Sequence, residues 1–271
     1  MTPALLRWLA LWGLLLATAG HAAVLDVPTD VERLPLGATL EYFLDEAGQL
    51  APEAAMRDGR YRPAGGDSLT FGFRAAVLWT RLTLRNPGDV AIERWLHIEP
   101  ERLEQVSLFL PESGGGYRRL ENGLQVAVAQ RPVPARSLAF PLRLEAGSTL
   151  TLTLRVQSRT RLSLLPMLWT PAAFERAMQH EDLFAMLSIG ALLGLGLYAI
   201  TLFPLRRDRA ALWLGLTMLC VCLFEAAYNG YDYAYGWPDR PDWSLRAAPV
   251  FGLLGQIGFN RFIGAVIPLR I

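Results

Sequence analysis

Between Val24 and Arg161 the apolar positions recur every second residue. Across Leu78–Arg85, Leu78, Leu82 and Leu84 share one face while Trp79, Arg81, Thr83 and Arg85 share the other. Leu138, Phe140, Leu142 and Leu144 alternate in the same way, interrupted only by Pro141. From Ser148 to Val156, Leu150, Leu152, Leu154 and Val156 point one way and three threonines with Arg155 the other. Period two marks a strand with one buried face, because successive side chains leave opposite sides of the pleat. Turn-forming clusters at Asn86-Pro-Gly-Asp89, Ser113-Gly-Gly-Gly116 and Glu145-Ala-Gly-Ser148 separate the runs at short intervals. Many short strands with little helix predict an antiparallel sandwich, wound as a jelly roll, over residues 24–165.

Downstream the alternation stops and the apolar runs become continuous. Thr170-Pro171 supplies an N-cap hydroxyl and a proline at the first helical position, predicting a juxtamembrane helix over residues 170–181 that runs into a membrane. Three apolar runs come next, at about residues 182–203, 210–230 and 247–269. Each covers a ~30 Å hydrocarbon core at ~1.5 Å per residue. The fold class read from the pattern is therefore an all-β jelly-roll sandwich followed by α-helical transmembrane segments over residues 182–271.

Charge fixes the orientation. Only Pro204–Arg209 separates the first two runs, and it holds Arg206, Arg207 and Arg209. Short arginine-rich loops stay in the cytoplasm, so these three are topology determinants. The opening residues 1–22 have Arg7, a short apolar stretch and small residues near Gly20 and Ala22, the layout of a signal peptide. An uncleaved anchor is the other reading of this segment, and both export the residues after Ala23. The two signals agree on a bacterial inner-membrane protein with a periplasmic N-terminal domain.

The loop between runs two and three carries Tyr228, Tyr231, Tyr233, Tyr235, Trp237 and Trp243. Aromatics collect at membrane interfaces, so a belt is expected, the alternative being a ligand-contacting surface beneath the sandwich. Gly190-Ala-Leu-Leu-Gly194 is a small-xxx-small pattern that permits close helix approach. Glu225 and Arg261 are intramembrane charges, lying roughly 8 and 20 Å below the periplasmic ends of their spans. At those depths they are expected to snorkel in opposite directions rather than pair.

Composition narrows the chemistry. The chain is 52% hydrophobic and 19% charged, against ~25% charged in soluble domains. A net charge of +1 offers no broad basic field for nucleic acid. All 26 basic residues are arginine, which removes Schiff-base lysines and Walker-type phosphate loops. Cys220 and Cys222 both lie in an apolar run, leaving the exported part without disulfides. Outside the leader only His97 and His180 remain, so no metal site, cofactor or histidine-based triad is expected. Glu99 and Glu101 flank Pro100 as a solvated turn would, rather than as a glycosidase pair.

The candidate ligand contacts are Trp79 and Arg81 on one strand face, Trp95 beside His97 on another, and Arg131 and Arg136 bracketing a proline-rich loop suited to an anion. Tryptophan stacking on sugar rings, with arginine hydrogen bonds, is the chemistry these types support. Packing beneath a loop or neighbouring strand is the competing reading for each. The function class read from the residues is a non-enzymatic periplasmic sensor; the alternatives are an exported carbohydrate-active enzyme and a transporter or assembly subunit of the inner membrane.

Several stretches together resemble a known family. Phe71-Gly-Phe73, Trp79-x-Arg81-x-x-Leu84-x-Asn86, Trp95-Leu96, Arg131-Pro132 with Arg136 and Phe140, and Leu154-Arg155-Val156 match in the exported part. Gly194–Tyr198, Arg207-Asp-Arg209, Asn229-Gly230, Trp237-Pro-Asp239 and Phe259-x-Arg261-Phe262 match in the membrane part. From about residue 38 onward the chain resembles the bacterial seven-transmembrane receptors with diverse intracellular signalling modules, with their type 2 extracellular domain. The resemblance implies a jelly-roll sensor for a small-molecule or carbohydrate ligand, feeding a helical bundle in the lipid bilayer, with a homodimer as a candidate assembly. It also implies four further spans and an output module, which residues 1–271 do not include; a fragment and a truncated gene are both open.

Overall fold

A computed structural model describes residues 24–112, 114–159, 161–238 and 240–267. The signal-peptide expectation for residues 1–22 falls outside the described residues. Twelve strands are described: β1 (Val24–Asp26), β2 (Arg33–Pro35), β3 (Glu41–Asp45), β4 (Arg62–Pro63), β5 (Leu69–Phe73), β6 (Val77–Arg85), β7 (Ile92–Glu99), β8 (Gln105–Pro111), β9 (Tyr117–Asn122), β10 (Leu138–Leu144), β11 (Thr149–Gln157) and β12 (Arg161–Trp169). A short helix α1 (Pro52–Met56) interrupts them, and α2 (Pro171–Arg206), α3 (Arg209–Tyr228) and α4 (Pro241–Val266) complete the chain order.

The larger sheet has the order β4-β3-β6-β11-β8-β9, with β1 joining β6 in parallel; the smaller runs β10-β7-β12-β2, with β5 on the start of β12. From β5 to β12 the chain passes from sheet to sheet at every connection except the β8–β9 hairpin, which is jelly-roll winding. The inward leucines meet as expected: Leu78, Leu82, Leu84, Leu96, Leu108, Leu138, Phe140, Leu152, Leu154 and Val156 form one core. Asn86 pins one end of it. Its buried amide donates to the carbonyls of Val90, Leu144 and Glu145 at 2.8, 3.1 and 3.1 Å, while its Oδ1 accepts from Gly88 N at 3.0 Å. Four bonds on one buried amide leave the turn little freedom.

The outer faces of the two sheets are covered where the candidate ligand residues lie, so packing beneath another segment, rather than ligand contact, describes Trp79 and Trp95. Leu50, Ala55, Met56 and Tyr61 lie over Phe43, Val77, Trp79 and Phe109 of the larger sheet. Phe174 and Met178 of α2 lie over Trp95, Ala139 and Trp169 of the smaller one. Strand alternation sorts side chains to two faces but says nothing of what a connecting segment later lays on them.

The stretches expected to form a juxtamembrane helix and a first span are one unbroken helix of 36 residues, roughly 54 Å long. Thr170 Oγ1 caps it, accepting from Ala173 N at 3.3 Å. The turn at its far end is tight: Arg207 sits in the left-handed region at φ 54°, and Asp208 caps α3 through Ala210 N at 2.8 Å. Two helices, α2 and α3, are long and apolar enough to cross a membrane. The third begins at Pro241, six residues before the expected span, and packs along α3.

Close helix approach occurs elsewhere than at the Gly190–Gly194 pattern. A Cβ added at Gly190 or Gly194 would meet nothing within 4 Å, whereas one at Gly215 would lie 2.6 Å from Ile200 Cγ1 and 2.7 Å from Gly196 O. Gly196 and Gly215 are thus the crossing point of α2 and α3. Among the described residues Glu225 and Arg261 form no ion pair; Glu225 Oε2 instead accepts from Asn229 Nδ2 at 3.2 Å, one turn nearer the sandwich.

Candidate functional site

Three arginines from the sandwich converge on the ends of the helices. Arg136, in the β9–β10 loop, donates to Glu101 in the β7–β8 turn, to Asp182 Oδ1 on α2 at 3.2 Å and to the carbonyl of Asn229 just past α3 at 2.8 Å. The Tyr231 ring lies beneath its guanidinium, 5.1 Å from the ring centroid. One planar cation therefore joins two sandwich loops to α2 and the end of α3, the kind of multidentate role that guanidinium geometry permits and an ammonium does not.

Arg102 makes the second tie. It donates to the carbonyls of Ala227 at the end of α3 and Ser244 in α4, with Asp232 Oδ1 3.8 Å away. Ala227 lies in the last turn of α3, whose carbonyls carry the negative end of the helix dipole and favour a cation, while Ser244 lies in the first turn of α4. Arg131 is turned inward: it donates to the carbonyls of Gly123, Val126, Ala135 and Arg136, at 3.0, 3.2, 3.1 and 2.8 Å, and holds the loop in shape. Its outer face stacks on Tyr233 at 5.0 Å.

The helices answer with the α3–α4 loop. Its residues Asp232–Gly236 form a π-helical turn rather than an open loop. Tyr231 donates to Asp182 Oδ1 at 2.8 Å, and Tyr233 to the carbonyl of Arg136 at 2.9 Å. This corrects the expectation of a uniform interfacial belt: Tyr231, Tyr233 and Asp232 are buried against the sandwich, and only Tyr228, Tyr235 and Trp243 keep exposed rings. Burial pushes the Tyr233 phenol up to about 12 and raises Tyr231, whose bond to Asp182 adds to the effect. Both stay protonated and able to donate. Burial likewise raises the carboxyls of Glu101 and Asp232, and Arg136 and Arg102 draw them only part of the way back.

His97 sits behind this knot, 2% exposed, with neither ring nitrogen hydrogen-bonded. Glu99 Oε1 is 3.8 Å from Nδ1 and Glu101 Oε1 4.0 Å from Nε2, while Phe174 of α2 meets the ring edge-on at 5.2 Å. Burial, then the charges of Arg136 and Arg33, lowers its pKa to about 4, so the ring is neutral at pH 7.

The ligand residues read from the sequence are not gathered into one place. Trp79 is fully buried beneath the α1 segment, 5.9 Å from Phe109 between ring centroids. Arg81 is spent on Glu41, 2.9 Å from Nε to Oε2, and lies over Tyr61 at 4.4 Å. Trp95 packs edge-on against Phe174 at 5.3 Å. Arg131 and Arg136 do share a site, but their partners are the chain's own carbonyls, carboxylates and tyrosines rather than an open anion pocket. Arg102 escaped the sequence reading, and Tyr231 and Tyr233 were noted there only as part of the aromatic loop. The available signal was a run of polar-edged aromatics between the apolar runs together with arginines on sandwich loops, which only acquires meaning once those loops are seen to meet.

The family model described as 7TMR-DISM extracellular 2 matches residues 37–170, and the one described as 7TM diverse intracellular signalling matches residues 181–270. No curated protein matches the chain. Among solved structures, TmCBM61 in complex with beta-1,4-galactotriose is 14% identical over 50% of this chain and 91% of its own, with a TM-score of 0.28. CBM32-3 from a family 31 glycoside hydrolase of Clostridium perfringens is 14% identical over 51% of this chain and 94% of its own, with a TM-score of 0.22. Likeness at that level says nothing about a ligand.

Proposed function

Because the chain belongs to the seven-transmembrane receptors with diverse intracellular signalling modules, we propose that it is the sensor half of a bacterial inner-membrane receptor. In this reading the sandwich, residues 24–165, lies in the periplasm, binds a small soluble ligand of carbohydrate type without altering it, and passes the event to helices that begin at residue 171. The loop holding Arg206, Arg207 and Arg209 then faces the cytoplasm.

One observation supports the transmission step above the rest. Helix α2 covers the outer face of the smaller sheet with its first turns and continues without a break into the first span. A displacement of β7 or β12 therefore moves a rigid rod, and Arg136 couples the same displacement to the end of α3 through Asn229. Packed interfaces of this kind shift between discrete arrangements rather than deforming smoothly.

The test is a titration of the full chain in detergent micelles with a panel of neutral and acidic oligosaccharides, read by calorimetry and by amide exchange. A binder should alter exchange at residues 229–236 as well as within the sandwich. Exchange changes confined to the sandwich, or no binder in the panel, would count against the reading. Orientation is checked separately: a cysteine at Gly115→Cys should react with an impermeant thiol reagent in intact spheroplasts, and one at Asp208→Cys should not.

A further inference from the structure

The sandwich carries a large aromatic side chain that its own packing leaves open. In the Phe71-Gly72-Phe73 stretch, Phe71 turns inward against Tyr42, 5.3 Å between ring centroids. Gly72 comes next at φ 71°, and the β5–β12 register shifts between Leu162 and Ser163. A bulge at a left-handed glycine re-aims the next side chain. Phe73 is consequently 83% exposed, more than any other large hydrophobic residue described.

Its position is the informative part. Phe73 pairs with Arg161 at the start of β12, and two residues earlier Arg159 reaches Asp242 in the first turn of α4, Nη2 to Oδ1 3.8 Å. Phe73 thus projects, exposed, at the end of the sandwich that meets the helices. At that same end Tyr235 and Trp243 keep exposed rings, as aromatics at headgroup level do. Arg74 and Arg161 flank Phe73 with exposed side chains; Arg74 has only Glu46 at 3.2 Å, with both partners more than half exposed.

We infer that the β5–β6 tip is a membrane contact: Phe73 enters the headgroup and acyl boundary of the adjacent leaflet, and Arg74 and Arg161 meet lipid phosphates. An apolar side chain between guanidiniums is suited to that layer, since the ring leaves water while the cations stay at the phosphates. The tip would give the sandwich a third support on the membrane, apart from α2 and the Arg102–Arg136 ties. The inference rests on the reading of α2 and α3 as membrane spans.

Nitroxide labels at Phe73→Cys, Leu187→Cys and Val90→Cys, each with Cys220 and Cys222 replaced by alanine, test it in the full chain. Leu187 is an exposed residue of α2 and Val90 an exposed one at the opposite end of the sandwich. In proteoliposomes of phosphatidylcholine and phosphatidylglycerol, the ratio of oxygen to aqueous nickel-complex collisions should be severalfold higher at 73 and 187 than at 90. A label at 73 that behaves like the one at 90, while 187 reports lipid, overturns the inference and leaves the spans intact. An aqueous label at 187 overturns the membrane reading itself.

Discussion

The sharpest energetic consequence of the junction concerns His97. Its folded pKa is about 4 against an ordinary 6.5, because burial between the sheet and Phe174 penalises the cation and no hydrogen bond offsets it. The native state therefore binds this proton more weakly than the unfolded chain does. Stability from His97 is fully present above pH 6.5 and is lost as pH falls through the window toward 4. Over the whole window the loss is about 3 kcal/mol, and between pH 7 and 5 it is about 2 kcal/mol, at ~1.4 kcal/mol per pH unit. Glu99 and Glu101 shift upward and act in the opposite sense as pH falls, so a difference measurement is required. Guanidinium unfolding of the full chain in micelles, followed by circular dichroism at both pH values, should be compared between the parent and His97→Gln. The parent should lose about 2 kcal/mol more than the variant on acidification. Equal losses would mean that the ring is not held neutral and that the burial argument fails.

Trp79→Ala should lower stability by about 3 to 5 kcal/mol, as for a buried aromatic, measured by the same unfolding curves; a parent-like melt would make Trp79 a candidate ligand contact again. Gly215→Ala should reduce thermal stability in detergent because the added methyl falls 2.7 Å from Gly196 O, while Gly194→Ala, which meets nothing, should hold or raise it. Comparable losses in the two glycine variants would contradict the crossing point assigned to α2 and α3.

The sandwich core was legible in the sequence because strand alternation is a local signal: Leu78, Leu82 and Leu84 could only face one way, and the core face was the apolar one. The length of the runs likewise announced α2 and α3, and Thr170-Pro171 announced where α2 begins. What lay over the outer faces was beyond such signals. Trp79 and Trp95 look alike on outward strand positions, yet one is covered by a segment from residue 50 onward and the other by a helix from residue 171, both distant in sequence. The arginines show the same divide from the other side. Arg206, Arg207 and Arg209 stand out as a charge bias visible in the sequence itself, whereas Arg102 and Arg136 acquire their partners only when the β7–β8 turn, the β9–β10 loop and the α3–α4 loop meet. A guanidinium's partners are set by geometry across the fold, and no local pattern in the chain encodes them.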